Sequence, residues 1–230
     1  MSYGVVLDKK IDDILVVVMA HSDARGAVER HKKYWEACGR VVYLVPTDAE
    51  LPSIEAEQWR ARPRAHVGPD AILRVVDGLE RASKEPHPYI LFCEYDAVVL
   101  DPPKFRPING EVMAPAFGDT REERGFEGTL YCHPPLFLNR KTAAVLVDEL
   151  KKYGPGVERG FWDRAVGLAI ERSQGRLRCT DLWARGACFA CNPIDERNLE
   201  TACEAVRTGA TFIHGVKTEF TLNALEASLK

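Results

Sequence analysis

The sequence predicts an α/β protein with a mixed, mostly parallel sheet flanked by helices, folded as a single compact domain. Continuous apolar runs at Ile14–Met19 and Tyr89–Cys93 have the composition of strands buried on both faces, as a parallel sheet requires. Between them Ala24, Ala27, Val28, His31, Trp35 and Cys38 recur at three and four residues, the period of an amphipathic helix, and a second apolar run follows at Val41–Val45. Strand, helix and strand of these lengths make a βαβ unit. With 230 residues, 46% of them hydrophobic and 28% charged, the chain can bury one large core.

Ser22 or Asp23 is the expected N-cap of the first helix and Gly39 its stop. Residues 46–69, punctuated by Pro46, Pro52, Pro63 and Pro69, read as loop. They contain the most basic stretch, Trp59–His66, expected as a solvated charged loop, with contact to an anionic substrate or a nucleic-acid backbone as the functional alternative. Asp70 is placed to cap a second helix that carries Ile72, Val75, Val76 and Leu79 on one face. Further strands are expected at Glu111–Ala116, Pro135–Asn139 and Ala210–Lys217. Helices are expected at Thr142–Tyr153, ended by Gly154-Pro155-Gly156, from near Gly160, with Asp163 in its first turn, and at Leu199–Val206, stopping at Gly209. Residues 117–130, charged and glycine-bearing, read as a loop over the site.

A net charge of −3 supplies no global basic field to draw the chain to nucleic acid or anionic lipid, though it allows a local basic patch. The N-terminus lacks a signal-peptide pattern, and no apolar run is long enough to span a membrane, so a cytoplasmic location is expected. The seven cysteines read first as buried reduced thiols. Cys188-Phe189-Ala190-Cys191 has the spacing of half a zinc site, with Cys179 and Cys203 as the conceivable other half.

The central chemical signal is the triplet Glu94-Tyr95-Asp96, at the end of the run beginning at Pro88. Residues two apart on an extended chain point the same way, so the strand delivers two carboxylates side by side at its C-terminal end, where open α/β sheets bind ligands. Two carboxylates at one place repel unless a cation lies between them, and Mn²⁺ or Mg²⁺ suits such oxygen ligands. The loop after the first strand, His21–Arg25, opens on the same side; without G-x-G-x-x-G it is not a standard NAD site. Near the end, a short strand delivers His214, a metal-ligand type, then Gly215 and Lys217, a compact phosphate partner.

This order of motifs resembles the GT-A glycosyltransferases, the nucleotide-diphospho-sugar transferase fold. Glu94-Tyr95-Asp96 is similar to the family's Asp-x-Asp motif, with Glu in place of the first Asp. His214-Gly215-Val216-Lys217 resembles the His-Gly-x-x-Lys element of the glycogenin-like retaining branch, one residue shorter. The resemblance spans about residues 12–220. It implies a metal-dependent hexosyltransferase, retaining by a small margin, that moves a sugar from a nucleotide-diphosphate donor such as a UDP-sugar to a hydroxyl acceptor. It implies Mn²⁺ (or Mg²⁺) held by Glu94, Asp96 and His214. It implies nucleotide-sugar contacts from His21, Ser22, Arg25, Glu94, Tyr95 and Lys217, and a catalytic or acceptor-orienting carboxylate at Asp163. Residues 12–100 would form the nucleotide-sugar half and 101–230 the acceptor half. The acceptor is expected to be a glycan, a small molecule or a hydroxymethylated DNA base. A nucleotidyltransferase, disfavoured by the lack of a Gly-rich phosphate loop, and a non-catalytic binding protein of the same fold are the alternatives. Asp96→Ala is expected to abolish turnover with little loss of stability.

Overall fold

A computed structural model of the chain describes residues 13–47, 57–62, 69–118, 130–153, 162–191 and 193–229. Of the expected loop over the site at 117–130, residues 119–129 lie outside these residues, as do the helix stop at Gly154–Gly156, Gly160 and the Arg64–His66 end of the basic stretch, while 117–118 and 130 are strand rather than loop. From the N-terminus come β1 (Ile14–Met19), a 3-10 turn (Ser22–Ala24), α1 (Arg25–Cys38), β2 (Arg40–Pro46), β3 (Glu57–Ala61), α2 (Pro69–Ala82) and β4 (Tyr89–Glu94). Then follow β5 (Ala97–Val99), β6 (Glu111–Ala114), β7 (Ala116–Gly118), β8 (Leu130–Cys132), β9 (Leu136–Asn139), α3 (Arg140–Tyr153) and α4 (Trp162–Arg172). The last elements are β10 (Arg178–Asp181), β11 (Cys188–Ala190), α5 (Leu199–Arg207), β12 (Phe212–His214) and α6 (Glu219–Ala227).

The fold is α/β and Rossmann-like. Seven strands form one sheet in the order β10-β6-β9-β4-β1-β2-β3, and β9 alone runs against its neighbours. The chain steps outward from β1 to β2 and β3, then restarts on the other side of β1 with β4. The strand order therefore reverses between β1 and β4, the crevice where such sheets bind ligands. The register Met19↔Glu94 sets the carboxyl ends of the two strands level.

β1 shows why its apolar run is continuous. Leu15, Val17 and Met19 pack into a core with α2, α3 and α4, whereas Ile14, Val16 and Val18 pack on the other face with α1 and a second sheet, β11-β12-β5. Both faces are covered, so every position is apolar, and each buried side chain contributes about 1.5–3 kcal/mol. β12 repeats the pattern one layer out: Phe212 faces α1 while Ile213 faces α5 and α6.

Several expectations need correction. Residues 57–61 are a strand, not loop: β3 pairs with β2 at the sheet edge, turning Trp59 and Ala61 inward and Gln58 and Arg60 out, with Glu57 exposed at the strand's start. Its charged outward face hid the alternation. Trp59 is held by the Glu57 carboxylate, which accepts its Nε1–H at 2.8 Å, and by the Arg81 guanidinium 4.5 Å over its ring. Arg60 and Arg62 are exposed, as expected of the basic stretch. Neither Ser22 nor Asp23 caps α1; a 3-10 turn intervenes and Ala24 holds the cap position without a side-chain bond. Asp70 lies inside the first turn of α2, which begins at Pro69. Strands β5, β7, β8, β10 and β11 have only three or four residues, too few to show a period, and α6 was also unread.

One close approach positions the site. A Cβ on Gly167 of α4 would lie 1.6 Å from the carbonyl oxygen of Leu130 at the start of β8. We expect Gly167→Ala to force α4 away from β8 and cost about 2 kcal/mol, more than the ~1 kcal/mol gained in helix propensity. Urea denaturation should show the lowered midpoint; an unchanged midpoint would mean that α4 does not rest on β8 this closely.

Candidate metal centre

β4 ends at Glu94, and the chain turns through Tyr95-Asp96 into β5, which belongs to the second sheet. The two acids therefore do not share one strand face, as the triplet spacing suggested. They are brought together by this turn and by β12, which pairs antiparallel with β5 and sets His214 opposite Ala97. His214 Nε2 lies 3.2 Å from Glu94 Oε2 and 3.3 Å from Asp96 Oδ1. The turn is clamped from both sides. Gly215 and Val216 both donate backbone N–H groups to the Asp96 carbonyl, at 3.1 and 2.9 Å. From α1, His31 Nδ1–H donates to the Tyr95 carbonyl and Trp35 Nε1–H to that of Ala97, each at 2.9 Å. Gly215 sits at φ +95°, a left-handed conformation that glycine alone adopts without strain.

Glu94, Asp96 and His214 offer ligand atoms that all lie within 4.8 Å of one another. His214 and Asp96 are buried, and Glu94 is partly open. Burial opposes protonation of His214, but the two carboxylates outweigh it and raise its pKa to about 10. Burial likewise opposes the charge on Asp96, yet His214 and Lys217, whose Nζ is 3.7 Å from Oδ2, hold its carboxyl below the usual range. The imidazolium thus takes the place of a cation between two acids. Its Nε2–H donates to Glu94 Oε2, while Asp96 Oδ1 and its own Nδ1 are buried without a hydrogen-bond partner among the described residues. Two carboxylates suit Mn²⁺ or Mg²⁺, and the added imidazole, a poor ligand for the hard Mg²⁺, favours Mn²⁺ of the two.

A second rank of side chains adjoins this group. Trp162, opening α4, donates its Nε1–H to Glu94 Oε1 at 3.1 Å and so fixes the oxygen that His214 leaves free. The next residue, Asp163, is buried, and burial pushes its pKa up to about 7 against a hydrogen bond from Tyr131, with Glu94 adding to the rise. His133, just after β8, stacks edge-on against His214 with ring centroids 4.3 Å apart, and its Nε2 lies 4.0 Å from Asp163 Oδ2. Burial and the nearby His214 charge lower the His133 pKa to about 4, so it is neutral near pH 7. His133, Tyr131 and the role of Trp162 were not read from the sequence; the only local signal was the Pro134-Pro135 pair that follows His133.

The other expected site residues divide. His21 lies at the end of β1 with its ring 4.8 Å from that of Tyr95, beside the β1/β4 crevice. Ser22 opens the adjoining 3-10 turn. Arg25 is exposed on α1 and pairs with Glu29 at 2.9 Å, outside the carboxylate–histidine group. The cysteines form no metal group among the described residues: Cys188, Cys191 and Cys203, and Cys179 lie in different apolar clusters, and Cys179 instead meets Cys132 at 3.7 Å. A cleft of about 610 Å³ adjoins the centre, its walls including Ala116, His133, Asp181, Trp183, Ala190 and Cys191. Among the described residues no helix is long and apolar enough to cross a membrane. Comparison of the chain with protein-family models and with curated proteins returned no match.

The burial of Asp96 reverses the expectation that its removal is structurally mild. Asp96→Ala leaves buried His214 with one partner, and breaking such a pair costs about 3–5 kcal/mol. Thermal and urea unfolding should show this loss, and wild-type stability in the variant would contradict the ion pair. The pH dependence follows from His214. Its pKa rises from 6.5 to about 10 on folding, so its contribution to stability is complete below pH 6.5 and lost as pH rises through 10. A cation binding there displaces that proton. Mn²⁺ affinity should therefore climb roughly tenfold per pH unit between pH 7 and 9, with about one proton released in calorimetry. A pH-independent affinity would place the ion elsewhere.

Proposed function

We propose that the protein is a metal-dependent glycosyltransferase that moves a sugar from a nucleotide-diphosphate donor to a hydroxyl acceptor. The observation that carries the proposal is the convergence of partly open Glu94 with buried Asp96 and His214 at the carboxyl end of β4, beside the crevice where the strand order reverses. The resemblance of the acid-x-acid triplet and of His214-Gly215-Val216-Lys217 to the GT-A motifs supports the same reading.

In this reading the crevice between β1 and β4 receives the nucleotide, with the His21 and Tyr95 rings at its mouth. A bound divalent cation would supply charge neutralisation at the donor's diphosphate. Lys217 adds positive charge beside Asp96, where the phosphates would lie. Trp162 holds Glu94 in place through its Nε1–H. In the transfer, the bond between the sugar's anomeric carbon and the diphosphate oxygen breaks with its electron pair on the diphosphate, and the acceptor oxygen bonds to that carbon. The acceptor proton goes to a base, or to the departing diphosphate if configuration is retained. Asp163, with a pKa of about 7, is matched to take that proton near neutral pH. The anomeric carbon is cation-like at the transition state, and carboxylates nearby favour it.

Thermal melting against UDP-, GDP-, CMP- and TDP-sugars, with and without Mn²⁺, tests the donor site. We expect one nucleotide-sugar to raise the melting temperature only when Mn²⁺ is present. Absence of any shift would favour a nucleotidyltransferase or a non-catalytic binding protein. EDTA should remove activity and Mn²⁺ restore it. Asp163→Asn should lower kcat roughly 10²- to 10⁴-fold with little change in the donor-induced melting shift; unchanged kcat would remove Asp163 from the proton transfer.

A further inference from the structure

The cleft beside the metal centre contains features that the transfer chemistry does not use. Trp183 stands in the turn between β10 and β11 and is 44% exposed, whereas Trp35, Trp59 and Trp162 are at most 8% exposed. It is held in place rather than loose. Its backbone N–H donates to Asp181 Oδ1 at 2.8 Å, its carbonyl accepts from Gly186 N–H at 2.8 Å, and its ring lies 6.0 Å from that of Phe189. The small side chains of Ala116, Ala184 and Ala190 leave room in front of it.

Among the described residues that line this cleft, Asp181 is the charged one. Its Oδ1 accepts from the backbone N–H groups of Ala116 and Trp183, at 3.1 and 2.8 Å, which orients the carboxylate. Among the described residues the hydrogen bonds that fix it end on Oδ1, and an ionised carboxylate accepts at both oxygens and donates at neither. A ligand that pairs with it must bring donors. An anionic ligand would meet the like charge of the Asp181 carboxylate. The cleft is also joined to the metal centre. His133 lines it and packs on His214, and Ala190 stands opposite His214 in the β11–β12 register. A volume of about 610 Å³ suits a ligand of one or two rings.

We propose that this cleft is the acceptor subsite and that it takes a neutral carbohydrate, one sugar ring lying with its C–H face on the Trp183 indole and its hydroxyls donating to Asp181. The inference rests on the glycosyl-transfer reading and narrows it. A pyranose combines an apolar face with several O–H donors and no charge, the combination that an aromatic plate beside an orienting carboxylate selects. A hydroxymethylated DNA base would also stack, but it carries phosphates toward Asp181.

Because Trp183 is the exposed tryptophan, intrinsic fluorescence reports on the cleft without donor or metal. Metal-free protein is titrated with methyl glucosides, methyl galactosides, maltose, cellobiose and lactose, and in parallel with an oligonucleotide containing 5-hydroxymethylcytosine. At least one saccharide should give a saturable change in tryptophan emission. By saturation-transfer NMR, Trp183→Ala and Asp181→Asn should each bind that saccharide at least tenfold more weakly. The melting shift of Trp183→Ala with Mn²⁺ and nucleotide-sugar should match the wild type, which shows that the variant folds. The proposal is overturned if no saccharide changes the emission, if Trp183→Ala binds as well as wild type, or if the oligonucleotide alone gives the response. A saccharide response without any Mn²⁺-dependent donor shift would keep the sugar site and remove the transferase reading, so the two failures are distinguishable.

Discussion

The structure depends on one buried ion pair network: the His214 imidazole between the carboxylates of Glu94 and Asp96. Three ionisable groups, two of them buried, would be costly to desolvate singly. Together they hold the end of the main sheet against the second sheet, because Glu94 closes β4 while His214 closes β12. The backbone agrees with the side chains. The Asp96 carbonyl takes two N–H groups from the residues after His214, and α1 clamps the neighbouring carbonyls. A divalent cation would enter a cage already shaped by these contacts, displacing a proton rather than rebuilding the fold.

The sheet explains why this network lies where a substrate can reach it. β1 and β4 are covered on both faces, so the rigid part of the crevice costs nothing extra to hold. At their carboxyl ends the chain leaves both strands toward the same face, through the His21 loop to α1 and through the Tyr95-Asp96 turn to β5, and the His21 and Tyr95 rings meet there. The helices on one face contribute the remaining groups: α4 brings Trp162 and Asp163 beneath Glu94, and it can approach because Gly167 leaves space for the β8 backbone. The proposed chemistry thus draws on two sheets and one helix, each fixed by packing away from the site.

Much of this was legible in the sequence because the signals are physical. Doubly buried strands read as unbroken apolar runs, and β1, β2 and β4 fall where those runs stand. Glu94 and Asp96 were named from residue type and position, His214 was joined to them by the resemblance of its motif to a known one, and the three do converge. The route was misread: the triplet spacing suggested a shared strand face, whereas Asp96 lies in a turn and the second sheet completes the group. Pairing between β5 and β12 joins residues over a hundred positions apart through strands of three residues, and no local period records that. His133 was missed for the same reason, since only its packing on His214 marks it out. β3 was hidden by its charged outer face, and Trp183 by a turn whose exposure sequence patterning does not register.

The most direct test of the central claim is an anomalous-difference map from crystals grown with Mn²⁺ at pH 8. The account predicts one strong peak in contact with Glu94, Asp96 and His214 Nε2, with the imidazole no longer hydrogen-bonded to Glu94. A map without that peak, with His214 still bridging the two acids, would show the group to be a structural ion pair and would contradict the metal centre.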